Sequence, residues 1–184
     1  MRRAPELVAA GLVVAALVAL RLLTASADAA LPGGGLGHAL GIVGLGLMLL
    51  TEVAYSVRKR AVDRAWGPLQ TWLQVHVFTG IVGPAMVLLH ASWRVGGLAG
   101  WATIATAVVA GSGFVGRFLQ SSLPRVAEDE TGAPRPGTRG VRRAAAARRA
   151  LAIWHLVHVP LGIALFVLAF AHAGAALYYA AGMR

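Results

Sequence analysis

The stretch 69–93, LQTWLQVHVFTGIVGPAMVLLHASW, decides the architecture. It is long enough to cross the hydrocarbon core of a bilayer, for which a helix needs about 20 apolar residues. It carries no Lys, Arg, Asp or Glu, yet two histidines, His76 and His90, interrupt the apolar run. Ionisable side chains at such depth are costly and mark function by default.

Four more apolar stretches lie around it: Leu7–Leu23, Leu36–Tyr55, Leu98–Leu119 and Ala150–Tyr179. All are rich in Leu, Ala, Val and Gly and none alternates with a period of two. A backbone in lipid must satisfy its own hydrogen bonds, so each stretch predicts a helix. The expected fold is an all-α, polytopic transmembrane bundle of five spans, one domain over residues 1–184. Composition agrees: 58% of the 184 residues are hydrophobic and 13% charged, with a mean hydropathy of +0.69. A soluble domain of this length cannot hide that much apolar surface.

The pI near 11.7 raises the question of nucleic acid, but the placement of the charge answers against it. Basic residues cluster between apolar runs, as topology determinants do. Arg2 and Arg3 precede the first span; Arg58, Lys59, Arg60 and Arg64 follow the second. Arg117, Arg125, Arg135, Arg139, Arg142, Arg143, Arg148 and Arg149 lie at or between the ends of the fourth and fifth. Only Arg21, Arg94 and Arg184 fall on the other side. The amino terminus is therefore expected in the cytoplasm and the carboxyl terminus outside, in a bacterial cytoplasmic membrane.

The first span has two readings. Arg2 and Arg3, an apolar run and Ala25-Ser26-Ala27 match a cleaved secretory signal, leaving four spans. Leu22 and Leu23 extend the run past Arg21 and favour an uncleaved span. The stretch Ser121–Arg149, with Pro, Gly, Glu128-Asp129-Glu130 and arginines, predicts a flexible cytoplasmic loop. Within it, Arg142–Arg149, interleaved with alanine, is expected to begin the fifth helix.

Cysteine is absent, which excludes disulfides, thiolate-held clusters and covalent c-type haem. Histidine is left as the ligand for any redox centre. His76 and His90 are fourteen residues apart, and so are His158 and His172 in the fifth span. Fourteen residues advance a helix by about 21 Å and return it to within about 40° of the starting face. Third and fifth spans run in the same direction, so His76 matches His158 in depth and His90 matches His172. A haem iron needs one axial ligand on each face, and neutral imidazole serves. Two b-type haems between the third and fifth helices follow, with His76, His158, His90 and His172 as iron ligands. Zinc is the poorer reading, because structural zinc sites gather their ligands closely and recruit thiolate or carboxylate.

With these residues in place, the chain resembles the di-haem membrane cytochromes b. It is similar to cytochrome b of the quinol-oxidising complexes and closer to the ferric-reductase and NADPH-oxidase transmembrane domain. That domain also carries its histidine pairs on its third and fifth helices. Trp72 to Trp93, with Gly83-Pro84 between the histidines, and His155-Leu156-Val157-His158-Val159-Pro160 add to the likeness, which covers about Leu36 to Tyr179. It implies haem and electron transfer but not a reaction, since the sequence shows no flavin or nicotinamide domain before Arg184.

Several residues carry open readings. Arg94, one turn beyond His90, pairs with a haem propionate or anchors at the interface. His155, one turn below His158, replaces it as ligand, binds a propionate, or serves a quinone or proton site. Gln74, Thr79 and the inner arginines are further candidates at the inner haem. His38 at the outer end of the second span is explained by hydration. Glu52 is a proton or quinone group or one half of an interfacial ion pair. Pro84 and Pro160 are expected to kink their helices, and Trp93, Trp101, Tyr178 and Tyr179 read as interface belts. Gly111-Ser112-Gly113-Phe114-Val115-Gly116 spells a dinucleotide fingerprint but lies within a span and follows no strand. Its glycines, like Gly41, Gly44 and Gly46, read as close-approach positions.

The expected function is one-electron transfer across the membrane with redox partner proteins at one or both faces, and no residue is assigned a catalytic role. A quinone-linked or metal-reducing oxidoreductase is the alternative, resting on Glu52, His155 and the basic inner loop. A haem-free scaffold or transporter is the third reading, weakened by the lack of internal repeats.

Overall fold

Gly44 and Gly83 face each other across the second and third apolar stretches, and their contact organises the fold. A methyl group on Gly44 would stand 2.9 Å from the Gly83 carbonyl oxygen, and one on Gly83 would stand 3.0 Å from that of Gly44. Only residues without a Cβ let two helix backbones meet this closely. In a computed structural model describing residues 5–29, 35–60, 67–92, 96–128 and 139–182, every element is an α-helix. They are α1 (Pro5–Ala29), α2 (Gly35–Arg60), α3 (Leu69–Ala91), α4 (Gly97–Glu128) and α5 (Arg139–Gly182). All five are long and apolar enough to cross a membrane.

The helices outrun the apolar stretches, most of all α4 and α5. Residues 121–128, expected as loop, are helical, and α5 starts at Arg139, slightly before the Arg142–Arg149 stretch expected to begin it, while residues 129–138 lie outside the described residues. The physical reason is that Ala and Arg are strong helix formers, so the backbone continues past the point where hydropathy falls. The helices α3 and α5 run unbroken through Pro84 and Pro160.

Neighbouring helices alternate in direction. His90 and His76 on α3 meet Gly37 and Thr51 on α2, which makes that pair antiparallel. His158 and Trp154 on α5 meet Ser112 and Gly116 on α4, which makes the second pair antiparallel. The helix α3 also packs on α1 and α4. By contrast, α3 and α5 do not form a closely packed pair. The interior is small: Ala10, Leu40, Val82 and Met86 form its buried cluster. Much of the outer surface is apolar, including Leu23, Leu156, Ile163, Val167 and Leu177, as contact with lipid requires.

Polar ties close the two ends. The buried Glu6 on α1 accepts a hydrogen bond from Arg117 Nη2 on α4 at 2.7 Å. Arg117, expected as a topology charge and, with the other inner arginines, as a candidate at the inner haem, joins the first helix to the bundle. At the opposite end, Arg21 Nη2 lies 3.5 Å from Ser92 Oγ. Arg58, also buried, donates from Nε and Nη2 to the Gly67 carbonyl at 3.2 and 2.7 Å, pinning the start of α3 to the end of α2. Removing one partner of a buried pair strands the other charge. Glu6→Ala is therefore expected to destabilise the protein by about 1–3 kcal/mol. The double variant Glu6→Ala/Arg117→Met should cost less than Glu6→Ala alone, as checked by thermal unfolding in detergent.

Candidate functional site

Each of three histidines is held from a neighbouring helix by its Nδ1 atom. His90 Nδ1 lies 2.7 Å from the Gly37 carbonyl oxygen, and His76 Nδ1 lies 3.3 Å from that of Thr51. A carbonyl only accepts, so in both rings Nδ1 carries the proton and the lone pair sits on Nε2. His158 Nδ1 lies 2.6 Å from Ser112 Oγ, while Ser112 Oγ is 2.8 Å from the Val109 carbonyl. A hydroxyl has one proton to give. With that proton on Val109, the Ser112 oxygen accepts from His158, and here too the lone pair falls on Nε2. Histidines that bind metal are commonly fixed in this way, through the nitrogen that does not bind.

The inner level is the more elaborate. Thr51 and Thr79 share a hydrogen bond of 2.6 Å between their hydroxyls, and each hydroxyl also approaches a carbonyl one turn back in its own helix. Thr79, a candidate from sequence, is bonded to the Thr51 hydroxyl, while the Thr51 carbonyl meets His76. Across the gap, His158 lies within electrostatic reach of both His76 and His155. The Trp154 indole stacks on the His158 ring, with centroids 4.6 Å apart and planes 24° apart. Its Nε1–H donates to the Ser112 carbonyl at 2.7 Å. Gly116 makes room for it, since a Cβ there would run into the indole.

At the outer level, His90 lies against Gly41, where a Cβ would stand 3.0 Å from the ring. His38, expected to be merely hydrated, sits edge-on to His90 with ring centroids 6.0 Å apart. His172 is half-buried and has no hydrogen-bond partner among the described residues. Arg94 and Trp93 lie outside the described residues. His155 is exposed and touches Trp154 edge-on at 6.3 Å. Glu52 is half-buried and forms no ion pair with any described residue. Among the described residues, Gly116 alone of the fingerprint glycines meets a neighbour, and Gly41 and Gly44 alone of the α2 trio do.

Sequence reasoning did not assign Ser112, Trp154, Thr51 or the Gly37 carbonyl to the site. The antiparallel register would have found the first two: pairing 116 with 154 brings 112 opposite 158.

Among the described residues no three His, Asp or Glu side chains converge on one point. A bare metal ion wants at least three protein ligands, whereas a haem iron takes two. The donor set fits haem in that number and in the Nδ1 anchors that hold three of the four rings. The 2.6 Å contact of Ser112 with His158 has the length of a nucleophile–base dyad. However, Ser112 stands mid-helix, where backbone N–H groups are engaged and no oxyanion hole can form. The chain matches no protein-family model, no curated protein and no solved structure.

Proposed function

We propose that this protein is a transmembrane electron carrier that holds two b-type haems, one between His76 and His158 and one between His90 and His172. The observation that carries the reading is the common anchoring of three rings through Nδ1. Three histidines on two helices each direct Nδ1–H at an oxygen of a neighbouring helix and keep the lone pair on Nε2. Bound at these sites, haem supplies a one-electron ferric/ferrous couple. The Gly37 and Thr51 carbonyls and the Ser112 hydroxyl hold the rings in one tautomer and orientation, so little ligand motion accompanies a change of charge. Val82 and Met86 on α3 and Leu165 on α5, which lie between the two histidine levels in sequence, are buried. The two levels are about 21 Å apart along each helix, which spans most of a bilayer core.

In this reading the amino terminus and the Glu6–Arg117 end of the bundle face the cytoplasm of a bacterial inner membrane. Electrons are exchanged with redox proteins at the two faces. A membrane quinone is the alternative partner, with His155, exposed one turn from His158, as the residue best placed to meet it. The test is a visible spectrum of purified protein, oxidised and then reduced with dithionite, with a pyridine haemochrome count. Two low-spin b haems per chain are expected. Absence of haem after expression with ample haem supply would move the function to a scaffold or transporter.

A further inference from the structure

We propose that Ser112 and Trp154 are positioning residues for His158 and give the inner site an electronic character different from the outer one. The inference rests on the two-haem reading and deepens it.

One residue of α4 holds two side chains of α5. The Ser112 hydroxyl accepts Nδ1–H of His158 at 2.6 Å, and the Ser112 carbonyl accepts the Trp154 indole N–H at 2.7 Å. The indole in turn covers a face of the His158 ring at 4.6 Å, from a seat that exists because position 116 is glycine. Rotation of the imidazole is opposed by the hydrogen bond and tilting by the stack. The hydrogen bond has a counterpart at the outer level, from His90 Nδ1 to the Gly37 carbonyl, but the stack does not, since His90 meets His38 edge-on.

The electronic consequence follows from the direction of the hydrogen bond. A hydroxyl that gives its proton to Val109 is polarised and accepts more strongly. Drawing on Nδ1–H makes the imidazole a more basic ligand through Nε2, and a basic ligand favours ferric over ferrous iron. Removing the hydroxyl weakens that preference at the inner iron only.

The experiment is a redox titration of the purified holoprotein, with low-temperature electron paramagnetic resonance of the oxidised form, for wild type, Ser112→Ala, Ser112→Thr and Trp154→Phe. In Ser112→Ala one of the two couples should rise, changing its ferric/ferrous ratio about tenfold at fixed potential, which is 59 mV for one electron. The other couple should stay. Ser112→Thr, which keeps the hydroxyl, should restore the wild-type value. Trp154→Phe, which keeps a ring but loses its tie to Ser112, should broaden one low-spin signal. Selective loss of one haem from Ser112→Ala, reversed in Ser112→Thr, also supports the inference. Unchanged potentials and signals in Ser112→Ala with both haems bound would overturn it and leave the two-haem reading intact. Equal shifts of both couples, or loss of both haems from Ser112→Ala and Ser112→Thr alike, would overturn it as a general structural effect. Wild-type protein without haem would remove both.

Discussion

His90→Ala and His172→Ala are each expected to leave one haem per chain, and it should be the same haem. Combining them should cost nothing more, because one absent ligand already empties the site and residues that act as a unit are not additive. His76→Ala and His158→Ala should remove the other haem. A variant that crosses the levels, His76→Ala/His90→Ala, should lose both. The pattern separates liganding from packing because the two outer histidines have such different surroundings. His90 is hydrogen-bonded to Gly37 and seated against Gly41, so its removal disturbs α2 and α3 whatever it binds. His172 has no hydrogen bond to lose among the described residues, and as a mere packing residue it should be nearly silent. Equal haem loss from such unequal contacts is the signature of a shared iron. Haemochrome stoichiometry and redox titration of the variants make the comparison. Retention of both haems by His172→Ala would sink the outer pair, and retention by His158→Ala would transfer the inner role to His155.

The spans were legible because hydropathy depends on composition over about 20 residues and not on neighbours. Helix ends were less so: Arg142–Arg149 was legible as the start of α5, but the helical continuation of α4 to Glu128 was not, since that segment is polar enough to read as a loop. The four histidines stood out by spacing alone. Their anchors did not, because a partner such as Ser112 or the Thr51 carbonyl is fixed by register between helices, which no single segment encodes. The same holds for the glycines: Gly41, Gly44 and Gly46 look alike in sequence, and only facing distinguishes them. Arg117 illustrates a residue with more to do than its own segment shows. Its charge was read as a mark of topology, whereas its position also lets it pair with Glu6 on a helix more than a hundred residues away.

Gly44→Val is expected to damage both levels at once, although residue 44 touches no histidine. Its new Cβ would meet the Gly83 carbonyl oxygen at 2.9 Å, with Met86 Cβ and Val87 Cγ2 at 3.0 Å. Side chains can turn aside, but a helix carbonyl cannot, so α2 and α3 must separate. Both carbonyls that hold α3 histidines belong to α2, at Gly37 and Thr51, seven residues to either side of the contact. Tilting α2 about that point relieves one end only by straining the other, and translating it stretches both hydrogen bonds. Overpacking of this kind costs about 1–3 kcal/mol, and freed imidazoles add a loss of haem at each level. Gly46→Val is the matched control, because no described residue lies within 4 Å of a Cβ there, and it should melt within about 0.5 kcal/mol of wild type. Thermal unfolding followed by haem absorbance compares the two. If Gly44→Val bound two haems and melted with the wild type, α2 would not be the element that orients the histidines of α3. The burden of fixing them would then fall on the iron itself.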